Sequence, residues 1–240
     1  LSKNTHSPFR FKQFSIGQSE GVFKVGTDAC LLAVLSPISG AKRILDVGTG
    51  TGLIALMLAQ RCHDAAILAI DINPKAADLA QENFNSSPWR DGLSAMHVEL
   101  KSFASSNPGG FDHIVCNPPF FKDSLINQKT TTAQARHEVD LSLTELVSSA
   151  RRLLSHNGKF TFILPYQRRQ EIEAELMAQS LHILKRIDIK PFANAESNRV
   201  IYTVSKTMST LSAEPLIIYD DQNQFTPTIL TLFKPYYLRL

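Results

Sequence analysis

The stretch RILDVGTGTGLIALMLAQRC, residues 43–62, decides the fold. Its first five residues, Arg43–Val47, are a short apolar run of the kind that forms a buried strand. Gly48, Gly50 and Gly52 follow, and glycines let a backbone turn sharply and come close to a ligand. TGLIALMLAQRC then reads as a helix. A strand, a glycine turn and a helix place a ligand at the C-terminal edge of a sheet.

The same alternation continues on both sides. AAILAID (65–71) is a second buried strand, and NPKAADLAQENF a helix with Asn73 as N-cap and Pro74 at its first position. SAMHVEL (94–100) and FDHIVC (111–116) are strands three and four, with Glu99 and Leu100 ending the former. SLTELVSSARRLLSHNG (142–158) is a helix with a capping box at Ser142 and Glu145, ended by Gly158. KFTFILP, HILKRIDI and RVIYTVSK are strands five to seven, with a helix over 167–180. The fold class is therefore α/β: a Rossmann-like, mostly parallel sheet with helices on both faces. Upstream, RFKQFSIGQ and GVFKVG read as two short strands, and TDACLLAVLSPI as a helix with Thr27 or Asp28 near its N-cap. PLIIY looks like a further strand, DDQNQF a turn, and FKPYYLRL a tail packed on the rest. The expectation is one domain over 1–240, with an extension at 1–40, the core at 41–206 and the tail at 207–240.

The 240 residues suit one large α/β domain, and no apolar run approaches the roughly 20 residues of a membrane span. The start lacks the apolar segment of a signal peptide, and Cys30, Cys62 and Cys116 show neither metal spacing nor pairing, so a reducing cytoplasm is expected. The histidines are scattered with no metal pattern. A net charge of +3 is compatible with a polyanionic partner without demanding one.

The glycines run G-x-G-x-G, unlike the G-x-G-x-x-G of dinucleotide sites. Asp46 stands just before them, where a carboxylate repels a pyrophosphate and attracts an ammonium. S-adenosylmethionine carries an ammonium, a sulfonium and a ribose but no phosphate, so it is favoured over a nicotinamide dinucleotide. Asp71, followed by Ile72, ends the second strand, where a carboxylate can accept both ribose hydroxyls. Glu99 with Leu100 would flank the adenine, or Glu99 is a solvated charge at a strand end.

IVCNPPFF, residues 114–121, closes strand four beside that pocket. An amine conjugated to a ring attacks poorly because its lone pair is delocalised. The Asn117 side-chain oxygen and the Pro118 carbonyl can each accept one of its N–H groups, and the prolines hold φ fixed. Such bonds strengthen as the nitrogen becomes positive, so they favour the transition state. Phe120 offers a face on which a planar base can stack.

LDVGTGTG, AIDIN and VCNPPFF, in that order, resemble the class I S-adenosylmethionine-dependent methyltransferases that act on amino groups. FRFKQFSIGQ, FKVGTDACLLA, AQARHE and FTPTILTLFKPYYLRL narrow the resemblance to the bacterial tRNA N6-adenine methyltransferases, over nearly the whole chain. The resemblance implies a seven-stranded sheet with its last strand antiparallel, and methyl transfer to N6 of adenosine 37, beside the anticodon of a valine tRNA. It implies that Asp46, Gly48 and Gly50 line the methionine end, Asp71 and Ile72 the ribose side, and Glu99 and Leu100 the adenine. Asn117, Pro118 and Phe120 would hold the target base, and Lys24, Thr27 and Asp28 would lie near the cofactor. No metal or membrane is implied, and the oligomeric state stays open. Where strand three of that family usually ends in Asp, this chain has Glu99, one methylene longer.

Other readings compete. A protein glutamine amide, or another nucleic-acid base, would suit Asn-Pro-Pro-Phe equally well. The glutamine enzymes typically carry an additional N-terminal helical domain, which 40 residues cannot supply. A nucleotide-binding oxidoreductase is opposed by the glycine spacing and Asp46, and a non-catalytic RNA-binding module by the intact Asn117 and glycine loop. PFRFKQF alternates aromatic and basic residues, as expected either for stacking on bases or for a strand with one buried face. The basic pairs Arg151–Arg152, Arg168–Arg169 and Lys185–Arg186 read as solvated faces or, jointly, a track for RNA. The long polar loop after Phe121, with Arg136 and His137, could close over a base.

Overall fold

The structure, a computed structural model, describes residues 7–19, 22, 25–118 and 142–239. Lys24, Phe120, Arg136, His137 and the loop after Phe121 lie outside the described residues. In chain order the strands are β1 (Phe9–Arg10), β2 (Ser15–Ile16), β3 (Arg43–Val47), β4 (Ala66–Asp71), β5 (Leu93–His97), β6 (Phe111–Cys116), β7 (Leu154–Pro165), β8 (His182–Lys190), β9 (Arg199–Ser205) and β10 (Ser212–Ile217). The helices are α1 (Thr27–Leu35), α2 (Leu53–Ala59), α3 (Pro74–Asn85), α4 (Leu100–Ser106), α5 (Leu143–Leu153), α6 (Arg169–Ala178) and α7 (Pro227–Phe233).

One sheet of eight strands runs in the order β10-β8-β9-β7-β6-β3-β4-β5. Only β9 is antiparallel to its neighbours β7 and β8. The seven expected strands are joined by β10 at the edge beside β8, formed from the segment that contains PLIIY. From β3 the chain steps through β4 to β5, then crosses back to β6 on the other side of β3. The β3–β6 boundary is thus a topological switch point, where open α/β sheets bind ligands at their C-terminal edge. Val47 and Cys116 are level there, which brings the glycine turn and Asn117 to adjacent strand ends.

Alternation along the strands feeds two cores. Ile44, Val115 and Ile163 point to one face, covered by α1, α2, α7 and part of α3. Leu45, Ile114, Phe160 and Phe162 point to the other, covered by α4, α5 and α6. Every residue of α2 is buried, which explains its unbroken apolar run. On α3, Asn73 accepts a hydrogen bond from Lys75 N and Pro74 opens the helix, as the sequence implies.

Local readings differ in five places. The first hairpin lies inside the segment expected as one strand, with Phe9 facing Ile16 and Arg10 facing Ser15. Phe11 and Phe14 are buried while Arg10 and Lys12 face solvent, so the motif buries its aromatics and solvates its bases around the bend of a hairpin rather than along one strand. Gly26, not Thr27 or Asp28, is the N-cap of α1. Glu99 caps a helix, α4, and Leu100 is its first residue, so neither ends a strand. The helix from Leu143 stops at Leu153, and Leu154 already begins β7, because its side chain joins the core from the sheet. Finally, the tail contains α7, capped by Thr226 and opened by Pro227.

Candidate active site

The glycine turn is shaped by its neighbours. Gly48 N and Thr49 N both donate to Ile70 O, at 2.9 and 3.1 Å. Gly48 and Gly50 have φ of +68° and +57°, and a Cβ at either would project into open space. Gly52 serves packing instead: at φ +80° its added Cβ would lie 2.5 Å from Phe84 Cε1. Asn83, a polar residue 6% exposed on α3, donates to Thr51 O at 2.8 Å and to Gly17 O at 3.2 Å, and accepts from Gly17 N at 2.8 Å. Sequence reasoning passed over it, although an amide on the apolar face of a helix is a signal.

Asp46 is the penultimate residue of β3 and is 0% exposed. Its Oδ2 accepts from Thr49 Oγ1 at 2.7 Å, while Oδ1 has no hydrogen-bond partner among the described residues. Burial pushes its carboxyl up to about 7, with the Thr49 hydroxyl and the Ala55 backbone N–H holding it back and nearby Asp71 adding to the rise. Thr49, a variable position of the glycine motif, is therefore a positioning residue that the motif alone did not reveal.

Asp71 is tied to the loops on both sides: Oδ2 accepts from Gly50 N at 2.8 Å and Oδ1 from Asn73 N at 2.9 Å. Each carboxylate oxygen keeps a further lone pair. Ile72, next along, is 52% exposed, an apolar side chain held at the rim. Glu99 Oε2 accepts from Ser102 Oγ at 2.7 Å, so the longer carboxylate folds onto its own helix, and Leu100 is buried in the core. Thr27 is exposed at the start of α1, and the Asp28 carboxylate is held by Arg199 Nε at 2.9 Å.

At the end of β6 the Asn117 Oδ1 is buried without a hydrogen-bond partner among the described residues. A buried acceptor left unpaired costs roughly 1–3 kcal/mol, so it marks a place built for a donor. The Cys116 thiol before it is held well above the ordinary range by burial, with Asp46 and Asp71 adding to the effect, so it is inert packing. Among the described residues no three or more His, Cys, Asp or Glu gather as a metal site, and no helix is long and apolar enough to cross a membrane.

Two buried oxygens without a close partner among the described residues, at neighbouring strand ends beside a glycine cradle open to space, fit a ligand that brings a cation and a substrate that brings N–H donors. Fold and site together define a class I, S-adenosylmethionine-dependent methyltransferase. Residues 14–188 match the methyltransferase small domain family. A tRNA1(Val) (adenine(37)-N6)-methyltransferase of Flavobacteriaceae bacterium (strain 3519-10) is 40% identical, over 88% of this chain and 89% of its own. Enzymes of the same name from Tolumonas auensis (34%, covering 97% of each chain) and Haemophilus influenzae strain Rd (36%, covering 97% and 99%) align almost end to end. The chain belongs to the tRNA1(Val) (adenine(37)-N6)-methyltransferase family. Solved structures agree on the fold alone. A predicted O-methyltransferase from Agrobacterium tumefaciens superposes with a TM-score of 0.69 at 20% identity, over 87% of this chain and 96% of its own. The ribosomal protein L11 methylase of Lactobacillus delbrueckii subsp. bulgaricus gives 0.54 at 20%, over 79% and 84%.

Proposed function

We propose that this protein transfers the methyl group of S-adenosylmethionine to N6 of adenosine 37, beside the anticodon of tRNA1(Val), in the cytoplasm. The observation that carries the chemistry is the buried Asn117 Oδ1, without a partner among the described residues, one strand from the glycine turn. Near-full-length relatives of that name support the substrate.

When bound, S-adenosylmethionine supplies an electrophilic methyl on a positively charged sulfur. Asp46 with the turn of Gly48 and Gly50 would hold its ammonium, Asp71 would accept from its ribose hydroxyls through its remaining lone pairs, and Ile72 would lie against its adenine. Leu100 backs that side, with Glu99 at its margin. Thr27 and Asp28 shape the rim from α1, with Asp28 steadied by Arg199; Lys24 joins them only as the family resemblance implies. Asn117 Oδ1 and the Pro118 carbonyl accept the two N–H groups of the adenine amine, which turns its lone pair toward the methyl. Their bonds strengthen as the nitrogen gains charge, so no strong base is needed, and the proton leaves to water afterwards. Phe120, as the family resemblance implies, would stack on the extruded base.

The test incubates the protein with labelled S-adenosylmethionine and, separately, total tRNA or a protein release factor. Label should appear in tRNA and be recovered as N6-methyladenosine; label in the release factor instead would replace this reading with glutamine methylation. Asn117→Ala should lower the methylation rate by about 10²–10³-fold or more, with cofactor affinity by calorimetry close to wild type. Full activity of that variant would remove Asn117 from the mechanism.

A further inference from the structure

The sheet edge that carries Asn117 continues outward to a cavity outside the methyl-transfer site. Cys116 is level with Phe162 on β7, Pro165 with Arg199 on β9, and Arg199 with Ile189 on β8. Beyond the strand ends the ladder persists: Tyr166 N donates to Asn198 O at 3.1 Å, and Asn198 N to Ile189 O at 3.0 Å. Strands lie about 4.8 Å apart and Lys190 sits about three residues further along than Asn117, so the two stand roughly 18 Å apart on the same side of the sheet. That is the span of a few nucleotides of extended RNA.

The cavity there is about 360 Å³ and is lined by Tyr166, Arg186, Asp188, Lys190, Ser197 and Pro215, among others. Small-ligand pockets run from about 300 to 1,000 Å³. Its charges are unequally committed. Arg186 lies 3.2 Å from Asp188 and 3.7 Å from Glu173, and Glu173 also accepts from Tyr202 OH at 2.6 Å. One guanidinium thus faces two carboxylates, while Glu214, a third acid of the lining, is paired with Lys185 at 2.7 Å. The Lys190 ammonium has no ion pair or hydrogen bond among the described residues. The half-exposed Tyr166 ring carries the Arg169 guanidinium 5.3 Å from its centroid. An aromatic face backed by a cation, next to an uncommitted ammonium, matches one base and one phosphate.

We propose that this cavity holds a nucleotide of single-stranded RNA flanking the target adenine, with Tyr166 stacking on its base and Lys190 pairing with its phosphate. The proposal rests on the RNA methylation described above and adds the register contact that it needs. A base drawn out of a loop separates its neighbours from their stack, and a neighbour held at the same sheet edge fixes which base reaches Asn117.

The experiment follows binding of a fluorescent anticodon stem-loop by anisotropy across a salt series, alongside tRNA methylation and calorimetric cofactor affinity. Lys190→Ala should lower the slope of log K against log salt by about one. Tyr166→Ala should weaken RNA binding about fivefold to a hundredfold, and Tyr166→Phe should restore it. Both should bind cofactor as wild type does. Lys42→Ala, whose amine lies 3.8 Å from Asp64 at the opposite edge of the sheet, should keep wild-type RNA binding. If wild type binds and methylates RNA while Lys190→Ala and Tyr166→Ala match it in slope and affinity, this proposal falls and the methylation reading stands. A wild-type protein that neither binds nor methylates RNA overturns both.

Discussion

At the scale of the residue, two buried ionisable groups set opposite pH dependences. Asp46 has its folded pKa raised to about 7 by burial, above its unfolded value. Stability is therefore highest below the unfolded carboxylate range and falls as pH rises toward 7 and the buried group must ionise. Asp46→Asn should melt above wild type in the cofactor-free protein at pH 8, by a margin that shrinks as pH falls toward 4, and should lose cofactor affinity. Thermal melts at the two pH values, beside calorimetry, check both halves. His113 runs the other way. It is 1% exposed, neither ring nitrogen has a partner among the described residues, and burial, with Lys159 and Arg61 nearby, lowers its pKa to about 3. Its neutral form is the folded one, so stability is full above its unfolded value of 6.5 and declines as pH falls from there toward 3. His113→Leu should raise the melting temperature more at pH 5 than at pH 8; an equal change at both would mean that the imidazole does not titrate across the transition.

At the scale of the element, the glycine turn combines two demands that the spacing of the motif does not separate. Gly48 and Gly50 need positive φ and leave room for a ligand, whereas Gly52 needs positive φ and room for the Phe84 ring. Gly52→Ala should therefore drive α2 and α3 apart and cost at least about 1–3 kcal/mol, from backbone strain and overpacking together. Denaturant unfolding would measure it, and a midpoint equal to wild type would mean that Phe84 can step aside. The basic pairs also resolve element by element. Arg152 donates to Ala104 O and Ser105 O and so ties α5 to the end of α4. Arg168 bonds Glu171 on its own helix, and Lys185 pairs with Glu214 across the edge strands. Arg152 and Lys185 thus fasten one element to another, and Arg168 fastens the start of its own helix.

At the scale of the whole molecule, the two ends of the chain are joined. Phe11 bridges to Tyr237, Lys12 N donates to Tyr236 O at 2.7 Å, and the Lys12 ammonium donates to Lys234 O at 2.6 Å. Tyr236 is 2% exposed, and its hydroxyl reaches Met57 O at 3.3 Å, on the helix that follows the glycine turn. The aromatic tail thus holds both the first hairpin and α2. Tyr236→Ala should cost about 3–5 kcal/mol, as other large aromatic truncations do, which for a chain of this size is a fall of roughly 6–20 °C in melting temperature. An unchanged melt by circular dichroism would show that the tail merely rests on the core.

Sequence alone determined the α/β class, the ligand edge, and Asp46, Asp71 and Asn117 as the polar groups of that edge. These follow from local rules: apolar runs of strand length, glycines in a turn, and acids or amides at strand ends. Only tertiary structure decided the rest. Whether Glu99 ended a strand or capped a helix depended on α4 docking against α5, and whether Leu154 closed a helix or opened β7 depended on the sheet beside it. The role of Thr49, the clamp of Asn83 on Gly17 and Thr51, and the Asp28–Arg199 pair join residues whose proximity no local period encodes. Periodicity reports which face of an element is apolar; packing of distant elements decides what each polar exception meets there.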